Sequence, residues 1–155
     1  MTETLLNRYR QALQPLLEPG EQLMDVAKVV PAAGAEGIGD GAGAAIGNAL
    51  ARMGAVTGEP GSLARSFPRV EGVAVTKLLV VTDRRTAFVT VGPDIRKGGR
   101  LLWHVPRQLV ARVERRPRLQ AMARFRLCFA DGSAVSMYTM RRRTVEALAD
   151  HLGRH

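Results

Sequence analysis

The most informative stretch of this sequence is KLLVVTDRRTAFVTVG, residues 77–92. It contains two β-rich runs, LLVVT and TAFVTV, which are separated by Asp83, Arg84 and Arg85. Charged residues between two strand-like runs favour a tight reversal of the chain, because the β-branched residues on either side favour extended backbone. The stretch is therefore predicted to form a β-hairpin, the first of three.

Seven strands are predicted in all, at 22–30, 73–82, 86–91, 100–105, 109–115, 124–130 and 134–139. Turn-forming residues mark the joints between them, and Asp131-Gly132 is the sharpest hairpin signal. Large apolar residues alternate with polar ones in the later strands, which predicts an antiparallel sheet with one face on a core and the other mostly in water. In the first strand, the face with Met24, Val26 and Val30 is expected to point inward.

A long insertion is predicted at 31–68, between the first two strands. Its composition changes to Gly, Ala and scattered polar residues, with no β-branched run. Inside it, Asp40 can cap a short helix that ends near Gly54. The insertion also holds the overlapping patterns GxGxxA at 37–42 and 39–44, which are similar to a dinucleotide-binding fingerprint. A nucleotide-dependent enzyme is therefore kept as a remote alternative.

Two amphipathic helices are predicted at the ends of the chain. Their apolar residues recur at spacings of three and four, and they are Leu5, Leu6, Tyr9, Leu13, Leu16 and Leu17 in the first and Val145, Leu148, Ala149 and Leu152 in the second. Thr2 or Thr4 can cap the first helix, and Pro15 should break it. The second helix is predicted over 144–152, with Thr144 as its cap and Gly153 as its stop.

The composition predicts a single domain in which the strand-rich part carries the positive charge. The chain has 155 residues and a net charge of +9. Residues 1–60 hold four bases and seven acids, whereas residues 61–155 hold nineteen bases and seven acids. Such an excess favours anionic partners, but twenty of the 23 bases are arginine, a skew that codon bias alone also produces. Both explanations stay open.

The sequence also predicts a cellular location. The N-terminus lacks the basic start and apolar run of a secretion signal, so a cytoplasmic protein is expected. No run of about eighteen apolar residues occurs, which argues against a membrane span. Cys128 is the only cysteine, so no intrachain disulfide can form, and the residue is expected to be a small packed side chain.

Several phrases resemble the bacterial branch of the pleckstrin-homology-like (PH-like) domain family. They are LEPGE at 17–21, VVTDRR at 80–85, HVP at 104–106 leading into LVARV at 109–113, and FADGS at 129–133. The resemblance covers 17–152 outside the insertion. It implies a mainly β fold with helices (α+β), namely a seven-stranded antiparallel barrel capped by the C-terminal helix. Members of the family bind phosphoinositides or peptides, or self-associate, and are not enzymes.

The eukaryotic lipid-binding members of that family place basic residues around the loop between strands one and two. In this chain that loop is the insertion, which offers only Arg65 and Arg69 near its end. The resemblance therefore implies a binding module without a marked phosphoinositide site.

No set of residues specifies a reaction, a metal site or a cofactor. The histidines at 104, 151 and 155 are not spaced as metal ligands with Cys, Asp or Glu. None of the serines lies in a nucleophile elbow, and Asp83, Asp94 and Asp131 fall in turns, where aspartate commonly bonds its own backbone. The chain is therefore predicted not to be an enzyme and to need no cofactor.

The function predicted from the sequence is a non-enzymatic binding or assembly module. Its partner is expected to be another protein or a second copy of the chain, and an anionic membrane surface is a further candidate. The candidate anion-binding residues are Arg141, Arg142, Arg143, Arg84 and Arg85, since guanidinium groups suit phosphate oxygens. A solvated run of charge explains the arginine triple equally well.

The alternative is a nucleic-acid binder that uses the basic strand face. Alternation assigns most of the aromatic residues to the core, where they cannot stack on bases. The sequence therefore ranks nucleic acid below protein and lipid partners.

Overall fold

The computed structural model describes residues 4–31, 56–70, 75–119 and 122–153. The helices are α1 (Leu5–Leu13) and α2 (Arg142–Leu152). The strands are β1 (Leu23–Lys28), β2 (Val30–Pro31), β3 (Val56–Thr57), β4 (Thr76–Thr82), β5 (Arg85–Val91), β6 (Gly99–Pro106), β7 (Val110–Leu119), β8 (Met122–Phe129) and β9 (Ala134–Thr139). Short 3₁₀ turns lie at Gln14–Leu16, Ala64–Ser66, Ile95–Lys97 and Arg107–Leu109.

The strands form two antiparallel sheets. Sheet A has the order β1-β4-β5-β6, and sheet B has the order β2-β9-β8-β7, with β3 also paired to β9. The two sheets meet where β1 runs through Val29 into β2. In the described part of the chain no ladder joins β6 to β7, so the predicted closed barrel is corrected to two sheets. The seven long strands and the final helix follow the order that the resemblance implies.

The main core lies between the two sheets and is closed by α2. Phe67, Phe88 and Trp103 pack together, with ring centroids 4.7 Å apart for Phe67 and Phe88 and 4.9 Å apart for Phe67 and Trp103. Leu148 on α2 is fully buried in the same cluster, and Leu152 is nearly so. The apolar stripe predicted for the C-terminal helix is thus confirmed as its core-facing side.

A second, smaller core lies on the opposite face of sheet A, under α1. Tyr9 and Leu13 of the helix pack against Leu78 and Val80 of β4. Because sheet A is covered on both faces, its central strands read as nearly continuous apolar runs rather than alternating ones.

The inward face predicted for the first strand is wrong. Ala27 and Val29 are the residues of this strand that point into the main core, whereas Val26 packs under α1 and Met24 is exposed. The helix α1 explains the error, because it gives the outer face of β1 an apolar surface to contact.

Local sequence signals set most of the helix ends. The hydroxyl Oγ1 of Thr4 accepts a hydrogen bond from the backbone N–H of Asn7 at 3.2 Å, and Pro15 lies in the 3₁₀ turn that ends α1. Gly153 ends α2 with a φ of 108°, a conformation that favours glycine. The prediction that Thr144 caps α2 is wrong, because the helix starts two residues earlier, at Arg142.

The last part of the predicted insertion belongs to the core. Val56 and Thr57 pair with Val135 and Ala134 of β9, and Phe67 contributes an aromatic ring to the main cluster. The predicted short helix at 40–54 and the glycine patterns at 37–44 lie outside the described residues.

Candidate functional site

Arg85, one of the predicted anion-binding residues, is held inside the protein by Glu21. Its Nε and one terminal nitrogen donate to Glu21 Oε2 and Oε1 at 2.8 and 2.9 Å, and the same terminal nitrogen donates to the carbonyl of Leu16 at 2.7 Å. The Glu21 side chain is fully buried, and that of Arg85 is 12% exposed. This guanidinium connects the start of β5 to the turn after α1.

Thr82 completes this buried network. Its hydroxyl donates to Glu21 Oε2 at 2.6 Å, and the backbone N–H of Glu18 donates to Oε1 at 2.9 Å. Burial alone would raise the pKa of Glu21, but the hydrogen bonds from Arg85 and Thr82 outweigh it and lower the pKa to about 2. The carboxylate therefore stays charged at neutral pH and keeps Arg85 in place.

Arg84 lies at the tip of the same hairpin and remains accessible. Its guanidinium is 3.5 Å from a carboxylate oxygen of Glu18, and the two side chains are 47% and 66% exposed. Exposed pairs of this kind contribute at most about 1 kcal/mol, so Arg84 can exchange Glu18 for another anion at little cost.

The predicted arginine triple forms the start of α2. Arg141 is the N-cap residue, Arg142 and Arg143 are the first two helical residues, and all three are exposed. The helix has no side-chain cap and no acidic residue in its first turn. Met140, which precedes the triple, is 65% exposed. This end of α2 is thus cationic and lies beside an exposed apolar side chain.

The structure keeps the two groups of predicted arginines apart. The backbone N–H of Arg107 bonds the carbonyl of Arg84, and the Arg107 guanidinium bonds the carbonyl of His151 in the last turn of α2. Arg84 therefore lies near the C-terminal end of α2, whereas Arg141 lies at its N-terminal end. Eleven residues of helix separate these ends by about 16 Å, at a rise of about 1.5 Å per residue.

A further group of arginines, which was not among the predicted anion-binding residues, lies on the outer face of sheet B. Its members are Arg112 and Arg116 on β7 and Arg124 and Arg126 on β8, called here the sheet B arginine cluster. The alternation of Arg124, Arg126 and Cys128 was visible in the sequence. The strand register, which brings the four together, was not.

Glu114 is the acidic residue within this cluster. It lies opposite Arg126, and its two carboxylate oxygens accept hydrogen bonds from Arg116 at 2.9 Å and Arg112 at 3.4 Å. Burial would raise the pKa of Glu114, but these hydrogen bonds outweigh it and lower the pKa below its usual value. Burial raises the pKa of the neighbouring Cys128 thiol, so the thiol stays protonated at neutral pH.

Other polar groups in the described residues have structural roles or form no reactive set. Asp131 accepts hydrogen bonds from the backbone N–H of Leu63 at 2.8 Å and from the Ser133 hydroxyl at 2.5 Å, which anchors the end of the insertion to the β8–β9 turn.

Within the described ranges, no three His, Cys, Asp or Glu side chains are placed to hold a metal ion. None of the described helices is long and apolar enough to cross a bilayer.

Every aromatic residue of the chain is buried. The set comprises Tyr9, Phe67, Phe88, Trp103, Phe125, Phe129 and Tyr138, each at most 9% exposed. The described surface therefore offers no aromatic ring on which a nucleic-acid base could stack.

Among solved structures, the chain is similar to a bacterial domain. No family model and no curated protein sequence matches the chain. Over 95% of its length the chain is similar to the crystal structure of a pleckstrin homology domain from Shewanella amazonensis SB2B, of which 97% is covered. The sequence identity is 13% and the TM-score is 0.45.

Proposed function

We propose that this chain is a non-enzymatic binding module that docks on an anionic membrane surface through the N-terminus of α2. The observation that carries the proposal is the exposed triple of Arg141, Arg142 and Arg143 at an uncapped helix start. A helix N-terminus carries partial positive charge, so three cations there oppose the helix dipole and cost stability. An anionic partner supplies the counter-charge that this helix end lacks.

A membrane surface suits this site better than an apolar protein interface does. Met140 beside the triple is 65% exposed, and an apolar side chain flanked by arginines can enter the headgroup region while the guanidinium groups contact lipid phosphates. Among the described residues only two other large apolar side chains, Met24 and Ile95, are exposed. The described surface thus favours a charged contact.

Protein contacts and self-association stay within the same proposed class, with a second copy of the chain as one partner. Nucleic acid ranks lower, because buried aromatic rings leave only charge attraction to the phosphate backbone. Such attraction is independent of base sequence and falls steeply with salt.

Vesicle binding by charge-matched variants tests the site. The first variant changes Arg141, Arg142 and Arg143 to Gln. The control changes Arg10, Arg96 and Arg100 to Gln, which removes three exposed charges from the side of the molecule that carries α1 and sheet A. Binding is measured by co-sedimentation with vesicles of phosphatidylcholine and phosphatidylserine, and with phosphatidylcholine alone as a baseline.

The first variant is expected to lose roughly 3 kcal/mol, about a hundredfold in affinity, because each basic residue near an anionic surface contributes about 1 kcal/mol. The control variant should lose no more than a few-fold. Equal losses in the two variants would mean diffuse attraction and would remove the α2 site from the proposal. A parallel titration with duplex DNA shows whether lipid is preferred at equal salt.

A further inference from the structure

The sheet B arginine cluster contains four positive charges and only one carboxylate, that of Glu114. Four guanidinium groups share Glu114, whose carboxylate accepts hydrogen bonds from Arg112, Arg116 and the Cys128 thiol but from neither Arg124 nor Arg126. Arg126 donates instead to the hydroxyl of Thr57 at 2.9 Å. Among the described residues no carboxylate pairs with Arg124. The face therefore keeps a local excess of three positive charges, on a sheet surface where such groups are close neighbours.

Hydrogen-bond donors in the cluster are buried without acceptors. The Nε atoms of Arg112, Arg116, Arg124 and Arg126 are all shielded from solvent and have no hydrogen-bond partner. The hydroxyl oxygen of Tyr138, a residue that is 6% exposed, is also buried and unpartnered. Buried polar groups are normally satisfied, so five unmet groups on one sheet face indicate that an acceptor belongs there.

Strand register aligns three of these groups in one row. Arg116 on β7 lies directly opposite Arg124 on β8, and Arg124 lies directly opposite Tyr138 on β9. Directly opposed side chains have Cβ atoms about 4.5–5.5 Å apart, so two guanidinium groups in this arrangement repel each other unless an anion lies between them. The row therefore places two arginines, Arg116 and Arg124, beside a Tyr138 hydroxyl that has no hydrogen-bond partner.

From this row we infer a phosphate-binding site on the outer face of sheet B, in which Arg116 and Arg124 hold the phosphate oxygens and the Tyr138 hydroxyl donates to one of them. The site is separate from the α2 N-terminus, and its ligand is a phosphate group, either free or carried by a lipid headgroup. A guanidinium offers parallel N–H donors at the spacing of phosphate oxygens, so two guanidinium groups facing one another suit a single phosphate.

Two properties of the row fit this ligand. The Arg116 side chain is 39% exposed, so the guanidinium end of the row is open to solvent. Burial raises the pKa of Tyr138, although Arg124 opposes the shift, so the phenol is neutral at physiological pH and can donate its proton. Phosphate accepts hydrogen bonds at several oxygens, which matches the unmet donors of the row.

Calorimetric titration with inorganic phosphate at pH 7 and constant ionic strength tests the inference. Arg124→Gln is the informative variant, because this arginine has no ion pair among the described residues. Arg100→Gln on β6 of sheet A is the matched control, since it removes one exposed charge elsewhere. Tyr138→Phe removes only the hydroxyl.

Wild type should bind phosphate saturably at millimolar concentration or below. Arg124→Gln should weaken binding by roughly 10- to 100-fold and Tyr138→Phe by about threefold, whereas Arg100→Gln should leave it unchanged. Arg124→Lys keeps the positive charge but loses the parallel N–H donors of the guanidinium, so it should weaken binding by an intermediate factor. It also serves as the variant to test if Arg124→Gln does not fold.

Absence of saturable phosphate binding by wild type, or equal losses in Arg124→Gln and Arg100→Gln, would overturn the site. Vesicles that contain phosphatidic acid identify the source of the phosphate. If they compete with inorganic phosphate in wild type, the source is a headgroup, and if they do not, the source is free phosphate. The triple variant at Arg141–Arg143 should still bind inorganic phosphate, so failure of the α2 proposal can be distinguished from failure of this one.

Discussion

Glu21 and Arg85 form a buried, two-armed ion pair between residues 64 positions apart, with the Arg85 Nε 2.8 Å from Glu21 Oε2. The pair joins the LEPGE turn after α1 to the hairpin that organises sheet A. The pair holds the turn after α1 to the hairpin from inside the protein, while Tyr9 and Leu13 of α1 pack on sheet A through apolar contacts. Arg85 is thus better explained as a structural residue than as a ligand-binding one.

Glu21→Gln is expected to lower the free energy of unfolding by about 3–5 kcal/mol at pH 7, because it leaves the Arg85 charge buried without its partner. Glu18→Gln is the control, since its exposed pair with Arg84 contributes about 0–1 kcal/mol. Urea denaturation followed by circular dichroism measures both. A Glu21→Gln midpoint equal to that of wild type would contradict this role.

The same pair predicts how stability changes with acid. The pKa of Glu21 is lowered from 4.5 to about 2 in the folded state, so the ionised carboxylate stabilises the fold. This contribution is fully present above pH 4.5 and is lost as the pH falls toward 2. Denaturation of wild type and Glu21→Gln at several pH values should show the two curves converging across that interval.

Asp25→Asn is expected to stabilise the protein at neutral pH. Burial raises the pKa of Asp25, although His151 opposes the shift, and its Oδ2 is buried without a partner. The ionised form is therefore less stable in the fold than in the unfolded chain, and asparagine resembles the protonated form. The gain in melting temperature should be present at pH 7 and disappear below pH 3.8, the ordinary pKa of the group. A loss of stability at pH 7 would contradict the prediction.

Residues 32–55 are expected to be replaceable by a single threonine. β2 and β3 run in the same direction along the same edge of β9, with Pro31 opposite Met137 and Val56 opposite Val135. Only Ser136 separates the two partners on β9, so one residue should connect Pro31 to Val56 as a continuous strand. The shortened protein should unfold in one transition within a few degrees of wild type.

A larger replacement, of residues 34–66 by a short Gly/Ser linker, serves as the contrast. It removes β3 and the Ser66 hydroxyl, which accepts a hydrogen bond from the Trp103 indole at 3.0 Å. This variant should be clearly less stable than the one that lacks only 32–55. If both variants unfold alike, the described part of the insertion does not support the core.

Leu148→Asp is expected to abolish folding or to cost several kcal/mol, because the side chain is fully buried and an unpaired carboxylate in the core is unfavourable. Arg143→Asp on the same helix is the control. It puts an acid at an exposed helix N-terminus, where the helix dipole favours it, so stability should be kept or slightly raised. Thermal melts measure both, and an unchanged melting temperature for Leu148→Asp would contradict the packing of α2.

The first hairpin could be predicted from the sequence because its turn residues and its β-rich runs are adjacent along the chain. The strands β4 and β5 meet at Asp83 and Arg84, and the apolar runs on either side favour extended backbone. The same holds for the last hairpin, where Gly132 has a φ of 87° at the turn. Helix α1 likewise begins at its Thr4 cap, because a cap depends only on residues a few positions away.

Features that depend on residues distant in sequence were decided by tertiary contacts. The inner face of β1 depends on α1 covering the other side, and alternation within one strand does not reveal a second layer. β2 and β3 are each two residues long and are held in place by pairing with β9; the strand predicted at 22–30 reached only Val30 of β2, and β3 was not predicted. The ion pair that holds Arg85 depends on Glu21, which is far away in sequence. The row of Arg116, Arg124 and Tyr138 likewise depends on the pairing of three strands. The sequence by itself determined where the charged residues lie along each strand and which of them alternate with apolar ones. Strand register and burial decided which charged residues come into contact, because both depend on segments that are distant in sequence.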